Sequence, residues 1–322
     1  MKTIILFLLF TVNLYAQTID ERLNAIEQWK VKVDSALGFS IPVEPIDTLI
    51  SKPINEGIVT KSDSYDYFIY NPAISVNGVW YLFTVKDGAI WLGKSSNGLN
   101  GFTWTLTNTP YGSIVYRSDL NQFYASWHKW HVWIYGRCTS YFSGSFDGVR
   151  WVDMAADWTQ TSGEDRNLIW DVDRFRNYIR VNPKPRTIGY TESPNGYAWS
   201  SIIEILKPDS QDPSNMEFYE MSVIKTERGY FGLLTTYINN TGIVDVQLVH
   251  SVNGKTNWQR LNNRHNFIER KAGIKQLFGN WSVIDGTAYI YTIENTHDHE
   301  RGGLHFSSRY KISLAELYKY LN

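Results

Sequence analysis

From Ser62 onward the chain is a succession of short apolar runs broken by polar turns. "VWYLFTV", "NLIWDV", "NYIRV", "YEMSVI", "GYFGLLTTY", "DVQLVHS" and "TAYIYTIEN" mix β-branched and aromatic residues over five to nine positions, the signature of strands. The first part of the chain is patterned differently. Ile19, Leu23, Ile26, Val33 and Leu37 fall at helical spacing, Asp20 and Glu21 suit the start of a helix, and Gly38 ends it. This predicts a short N-terminal helix over residues 17–38, either docked on the domain or joined to other copies as a short coiled coil. Residues 39–61, with Pro42, Pro45 and Pro53, read as an extended linker. Ser313 to Leu321 reads as a C-terminal helix.

A short phrase punctuates the strands. Ser-x-(Asn/Asp)-Gly followed by Trp occurs as Ser95-Ser96-Asn97-Gly98 with Trp104, Ser145-Phe146-Asp147-Gly148 with Trp151, Ser193-Pro194-Asn195-Gly196 with Trp199, and Ser251-Val252-Asn253-Gly254 with Trp258. The Trp residues are 47, 48 and 59 positions apart (151−104, 199−151, 258−199). Such a period marks a blade-by-blade β architecture. Each phrase predicts a tight hairpin turn, with its Trp capping one blade against the next. Units running from about Tyr65 to Leu106, Ser113 to Met154, Asp165 to Leu206, Glu217 to Leu261, and Gly273 to the end give an all-β fold: a five-bladed β-propeller over residues 62–322. The innermost strand of each blade should line a central channel.

Composition narrows the function classes. Aromatic residues make up 15% of the chain, with 13 Trp and 21 Tyr, which suits blade packing and also sugar stacking. The net charge of −1, with no basic block, argues against nucleic acid as a partner. One cysteine, Cys138, rules out an internal disulfide and is expected to be a small buried filler. Met1–Ala16 has the form of a secretory signal: Lys2, an apolar run from Ile4 to Val12, and Leu14-Tyr15-Ala16 before Gln17. The run is too short for a membrane-spanning helix, and no Cys follows it as a lipid-anchor site. A secreted or periplasmic protein is therefore expected, with cell-surface or virion attachment left open and no stable membrane insertion after signal removal.

The turn phrase resembles the Asp-box-like repeat of sialidase-type propellers. The order "DRNLIWDVDRFRNYIRV…RTIGYTES…W", "PDSQDPSNMEFYEM" and "DVQLVHSVNGKTNWQRL" resembles secreted five-bladed propellers of the glycoside hydrolase family 32/43 type, over roughly Tyr65 to Gly303. The resemblance implies a carbohydrate partner, no cofactor, and carboxyl groups projecting from inner strands into the channel. Glycoside hydrolysis needs two of them across the scissile bond. Glu217 is the candidate general acid, with Glu220 beside it as an alternative and Tyr219 as a neighbour that could keep it protonated. Asp165 is the candidate orienting carboxylate. The family's Asp-Pro pair on the first inner strand is Asn71-Pro72 here, so either Asp66 substitutes as base or the chain does not hydrolyse by that route.

Asp171, Arg180, Arg186 and Trp281 complete the candidate substrate contacts, the two arginines for an acidic sugar; Asp171 fits a hairpin turn equally well. His297 and His299, in "THDHERGG", could line the sugar pocket or sit in a polar loop. No third ligand can be assigned to them, and no metal is expected. Two readings stand at this point: a glycosidase, or a glycan-binding propeller without catalysis, either of them open to oligomerisation through the N-terminal helix.

Overall fold

The computed structural model describes residues 51–62, 68–69, 71–86, 88–109, 112–130, 138–154, 158–160, 166–181, 184–297 and 304–321. They fall within one compact unit, Ile50–Asn322. The expected signal segment and N-terminal helix lie outside the described residues. The expected linker does not run to Lys61. From Ile54 it is a strand, β1 (Ile54–Ser62), paired antiparallel with the last strand of the chain.

The strands follow in four hydrogen-bonded sheets. The first holds β2 (Phe68–Ile69), β3 (Ile74–Val76), β4 (Val79–Lys86), β5 (Ala89–Ser95) and β6 (Thr103–Leu106). The second holds β7 (Gly112–Arg117), β8 (Gln122–Trp130), β9 (Cys138–Ser145), β10 (Val152–Asp153) and β11 (Trp158–Gln160). The third holds β12 (Arg166–Asp171), β13 (Arg174–Val181), β14 (Thr187–Ser193) and β15 (Ile203–Leu206).

The last sheet is two antiparallel runs meeting at a single parallel bridge, Val244 with Gln276. One run is β16 (Met216–Thr226), β17 (Gly229–Ile238) and β18 (Ile243–Ser251), with β19 (Gln259–Arg260) and β20 (Asn266–Ile268) at its edge. The other is β21 (Gln276–Ile284), β22 (Thr287–Asn295) and β23 (His305–Ser313), completed by β1. The first three sheets follow the units read from the sequence closely, whereas the fourth group runs on to Ile268 and the last takes in β1 from before the first unit. A short helix, α1 (Leu314–Tyr318), ends the chain. Its N-cap is Ser313, whose hydroxyl accepts from the Glu316 amide, and Leu317 is sealed into the core beneath it.

The apolar residues pack between neighbouring groups in chain order. Phe83 and Leu92 of the first sheet meet Ile114, Phe123 and Trp151 of the second. Tyr124 and Phe142 meet Leu168 and Phe175 of the third. Tyr178 and Tyr190 meet Phe218, Tyr230 and Trp258. Phe231 and Leu248 meet Leu277, Trp281 and Ile290. The last group then returns to the first, where Tyr291 packs with Ala73, Trp80 and Leu82. Because both faces of each group are covered, middle strands such as β17 are buried almost throughout instead of alternating.

The four repeated phrases are the rivets of these interfaces. In the first, the Asn97 side-chain oxygen accepts from the Leu99 and Asn100 amides, and the Ser95 hydroxyl accepts from the Gly98 amide. Asp147, Asn195 and Asn253 repeat the pattern. Within the Ser-x-(Asn/Asp)-Gly stretch only the glycine has positive φ, so these are Ser/Asx-braced loops and not the two-residue turns the Asn-Gly pairs suggest. A Cβ on Gly98 would lie 2.3 Å from the Trp80 ring and 2.7 Å from the Tyr291 hydroxyl, so φ and space both demand glycine. Three of the four Trp rings reach an aromatic ring of the preceding sheet: Trp151 on Phe83, Trp199 on Phe142 and Trp258 on Tyr178.

Candidate functional site

The innermost strands β3, β7, β12, β16 and β21 stand side by side, and a polar ring ties them together. The Asn71 side-chain oxygen accepts from the Ile114 amide at 2.7 Å. The Ser113 hydroxyl accepts from the Leu168 amide at 2.8 Å. Asn167 accepts from the Val223 amide at 2.8 Å, and Ser222 from the Trp281 amide at 3.3 Å. Asn280, the residue before Trp281, holds the next place. The residue its oxygen should serve is Pro72, which has no N–H; the Asn280 side-chain nitrogen, a donor, is separately buried without a partner. The signal for this ring is present in the sequence. A small polar residue precedes an apolar one in "NPA", "SIV", "NLI", "SVI" and "NWS". The strand pattern hides it, because each polar residue looks like an ordinary alternation.

Where β16 begins, a second cluster joins the third sheet to the fourth strand group. Glu217 and Tyr219, two apart on β16, turn toward the same neighbour, just where a β-bulge interrupts the pairing of β16 with β17. Arg186 donates from one nitrogen to Glu217 at 2.7 Å and to the Tyr219 hydroxyl at 3.0 Å. Lys184 stands 3.5 Å from the other Glu217 oxygen, and the Asn239 amide donates to it at 3.4 Å. The Arg180 guanidinium lies 4.9 Å from the Tyr219 ring, as does that of Arg186, and Tyr237 meets the same ring edge-on. Burial pushes the Tyr219 hydroxyl up to about 12, against the pull of both arginines.

These positions correct several expectations. Glu217 is buried and engaged by two cations and an amide, the setting of an ion-paired carboxylate and not of a free proton donor. Arg186 is its partner, so the two candidates satisfy one another. Tyr219 is sealed at 2% exposure and does not present its face to a ligand. Arg180 is buried beside it. Trp281 is fully buried, its indole N–H donating to the Ser222 carbonyl at 2.8 Å, so it is a core residue and not a stacking platform.

Asp171 lies at the opposite end of β12, opposed to Arg174 across the hairpin. Its carboxylate takes Arg176, Lys225 and the Tyr230 hydroxyl, a buried hub between sheets. Asn71 is buried, with its side-chain oxygen committed to the ring. Glu220 is half-buried and accepts from Thr235. His297 is exposed beyond the end of β22. Asp66, Asp165 and His299 lie outside the described residues. Among the described residues, no group of three or more His, Cys, Asp or Glu side chains is placed to hold a metal ion.

No family model matches the chain, and no curated protein matches it in sequence. Solved structures do match in shape. A thermostable family-43 glycoside hydrolase superposes with a TM-score of 0.62 at 11% identity, over 80% of this chain and 92% of that one. A β-1,2-mannobiose phosphorylase from Listeria innocua gives 0.61 at 11% identity, over 85% and 95%. The Bombyx mori family-32 β-fructofuranosidase BmSUC1 gives 0.56 at 11% identity, over 81% and 63%. The chain has the glycoside-hydrolase-like propeller fold. Neighbours that include both hydrolases and a phosphorylase leave the chemistry to be argued from the site.

Proposed function

We propose that this chain is an exported five-bladed propeller that recognises a glycan without cleaving it. The observation that carries the reading is Asn71. At the inner-strand position where the resembled enzymes carry an aspartate, this chain has an amide whose oxygen is engaged by the Ile114 N–H. The equivalent places on the next two inner strands are Ser113 and Asn167, engaged in the same way. At Asn71 a neutral amide stands where the resembled enzymes carry a carboxylate for proton transfer. Glu217, ion-paired to Arg186, adds no free acid.

Five blades are supported by the return of packing from the last strand group to the first and by an axial cavity lined from all five innermost strands. Export rests on the Met1–Ala16 pattern. The exposed polar groups near the start of β16, including Lys184, suit hydroxyl- and carboxylate-bearing sugars.

A glycan-array screen of the full chain followed by calorimetry is expected to find saturable binding to an oligosaccharide class. Aryl glycosides and polysaccharides incubated with the same protein are expected to remain intact. Hydrolysis that vanishes in Glu217→Gln would sink this reading and favour a glycosidase using Glu217 with Asp66 or Asp165.

A further inference from the structure

The last innermost strand carries a row of side chains that the Glu217 cluster does not use. Side chains alternate along a strand, so Gln276, Phe278 and Asn280 share one face of β21. Leu277 and Trp281 turn the other way, into the core shared with the fourth strand group, and a Cβ on Gly279 would lie 3.2 Å from Leu233 there. Asn280 holds a place in the polar ring, so the row looks toward the axis, at the end where β21 and β16 begin. Phe278 is half-buried and packs against Tyr219, Tyr237 and Val244.

The two amides that flank this phenyl ring are unengaged. Gln276 and Asn280 are each 5% exposed, and the side-chain nitrogen of each is shut off from water with no hydrogen-bond partner. A sealed N–H2 group without an acceptor destabilises the fold at both places. Half a turn of a terminal amide exchanges its nitrogen and its oxygen, and that torsion is soft. A ligand lying over Phe278 can therefore take a donor or an acceptor from each side. Four strand steps, about 13 Å, separate Gln276 from Asn280, a span that suits one sugar ring with its hydroxyls between the two side chains.

The chemistry of the row selects the ligand. All three side chains are uncharged, and the cations beside Tyr219, Arg186 and Lys184, are drawn to Glu217. A primary amide meets a hydroxyl equally well as donor or acceptor. A carboxylate brought against it would lose its water without gaining a counter-charge. The face of an aromatic ring takes the apolar C–H side of a pyranose.

We infer that Gln276, Phe278 and Asn280 form a subsite for an uncharged pyranose, whose ring lies on Phe278 and whose hydroxyls bond to the two amides. This rests on glycan recognition at this end of the propeller, and it names the class of sugar and the strand that holds it. Binding gives both amides the partners that the fold withholds.

Saturation-transfer NMR tests the inference on the full chain, with the methyl glycosides of glucose, galactose, mannose and xylose and with glucuronic acid, each at about 1 mM, the affinity range of a single sugar ring. At least one neutral glycoside is expected to bind, its ring C–H protons saturated most strongly, and glucuronic acid is expected to bind more weakly. Gln276→Met removes the amide and keeps the length of the side chain. It is expected to weaken that binding at least about tenfold while the melting temperature stays level or rises. Phe278→Leu is expected to weaken binding as much. Phe146→Ser, at an exposed position in a repeated phrase, is expected to leave binding unchanged. Binding that either Gln276→Met or Phe278→Leu leaves intact overturns the inference, as does a stronger response to glucuronic acid. A melting temperature lowered by Gln276→Met shows that the amide has an internal partner and overturns it too. If no neutral glycoside binds, the inference falls. A positive glycan array then leaves glycan recognition standing, and a negative one removes both.

Discussion

Tyr291, in the last strand group, donates its buried hydroxyl to the carbonyl of Gly98, in the first repeated phrase, at 2.6 Å across 193 residues of sequence. This one bond joins the two ends of the circuit of sheets. Arg309 reinforces it, reaching the Asn97 carbonyl beside Gly98 and holding Glu56 of β1 at 2.7 Å. Burial raises the Tyr291 hydroxyl well above its ordinary value, so the phenol stays a donor at any physiological pH. Tyr291→Phe removes the donor, keeps the ring, and leaves the Gly98 carbonyl buried and unpaired. The expected loss is about 1–3 kcal/mol of unfolding free energy in urea titration. A change near zero would mean that the closure is made by packing alone.

The polar ring around the axis makes a second prediction, at its gap. Pro72 has no N–H to donate to the Asn280 side-chain oxygen. Pro72→Ala supplies an N–H for the Asn280 side-chain oxygen to accept, and leaves the buried Asn280 side-chain nitrogen, itself a donor, as it was. It also frees the unfolded chain, a loss of about 0.4–1 kcal/mol, against a hydrogen bond worth about 0.5–1.5 kcal/mol. Stability is expected to be level or slightly higher. Hydrogen exchange is the sharper readout: the backbone amide created at this position should be among the protected ones. Fast exchange there would show that the ring does not extend to Asn280. In contrast, Ser222→Ala strips the acceptor from the Trp281 amide and is expected to destabilise by about 1–3 kcal/mol.

Much of this architecture is legible in the sequence, because turns and aromatic spacing are local signals. The phrase Ser-x-(Asn/Asp)-Gly with its Trp marks the seams between sheets, and the first three predicted units each correspond to one hydrogen-bonded sheet, while the last two share a single sheet that β1 completes. The site is less legible, for a physical reason. Whether a carboxylate is free or engaged depends on residues far away in sequence. Glu217 meets Arg186 at a separation of 31 residues, and Asp171 meets Lys225 at 54 and Tyr230 at 59. A strand pattern cannot say which end of the sheet a residue occupies, so it groups Asp171 with the substrate contacts although that residue lies at the opposite end. Trp281 resembles any strand tryptophan until its indole N–H is found inside the core.

His305 gives the fold a pH dependence. It is buried at the start of β23, and burial holds its ring below the ordinary value of 6.5, with the nearby His297 adding to the effect. The folded protein therefore binds this proton less readily than the unfolded chain does. Stability is full above about pH 6.5 and declines as the pH falls below it, because the unfolded state protonates first. Urea midpoints at about pH 7.5 and 5.5, on either side of that value, are expected to differ in that direction, and His305→Gln is expected to flatten the difference. An unchanged slope in the variant would assign the dependence to other groups.

Arg186 and Glu217 decide between a structural and a catalytic role for the carboxylate at the start of β16. With Arg186 gone, Glu217 keeps Lys184 and Asn239 among the described residues, and the Tyr219 hydroxyl loses the Arg186 donor. Arg186→Ala is expected to cost about 1.5–3 kcal/mol, the scale of a hydrogen bond to a charged group. Glu217→Gln alone should cost less, because the amide still offers an acceptor. In the double variant the uncompensated charge is absent, so its loss is expected to be smaller than the sum of the two singles, a coupling visible in a double-mutant cycle. Strict additivity would mean that the pair does not act as a unit. Glu217 would then be free for the proton chemistry that its contact with Arg186 otherwise forecloses.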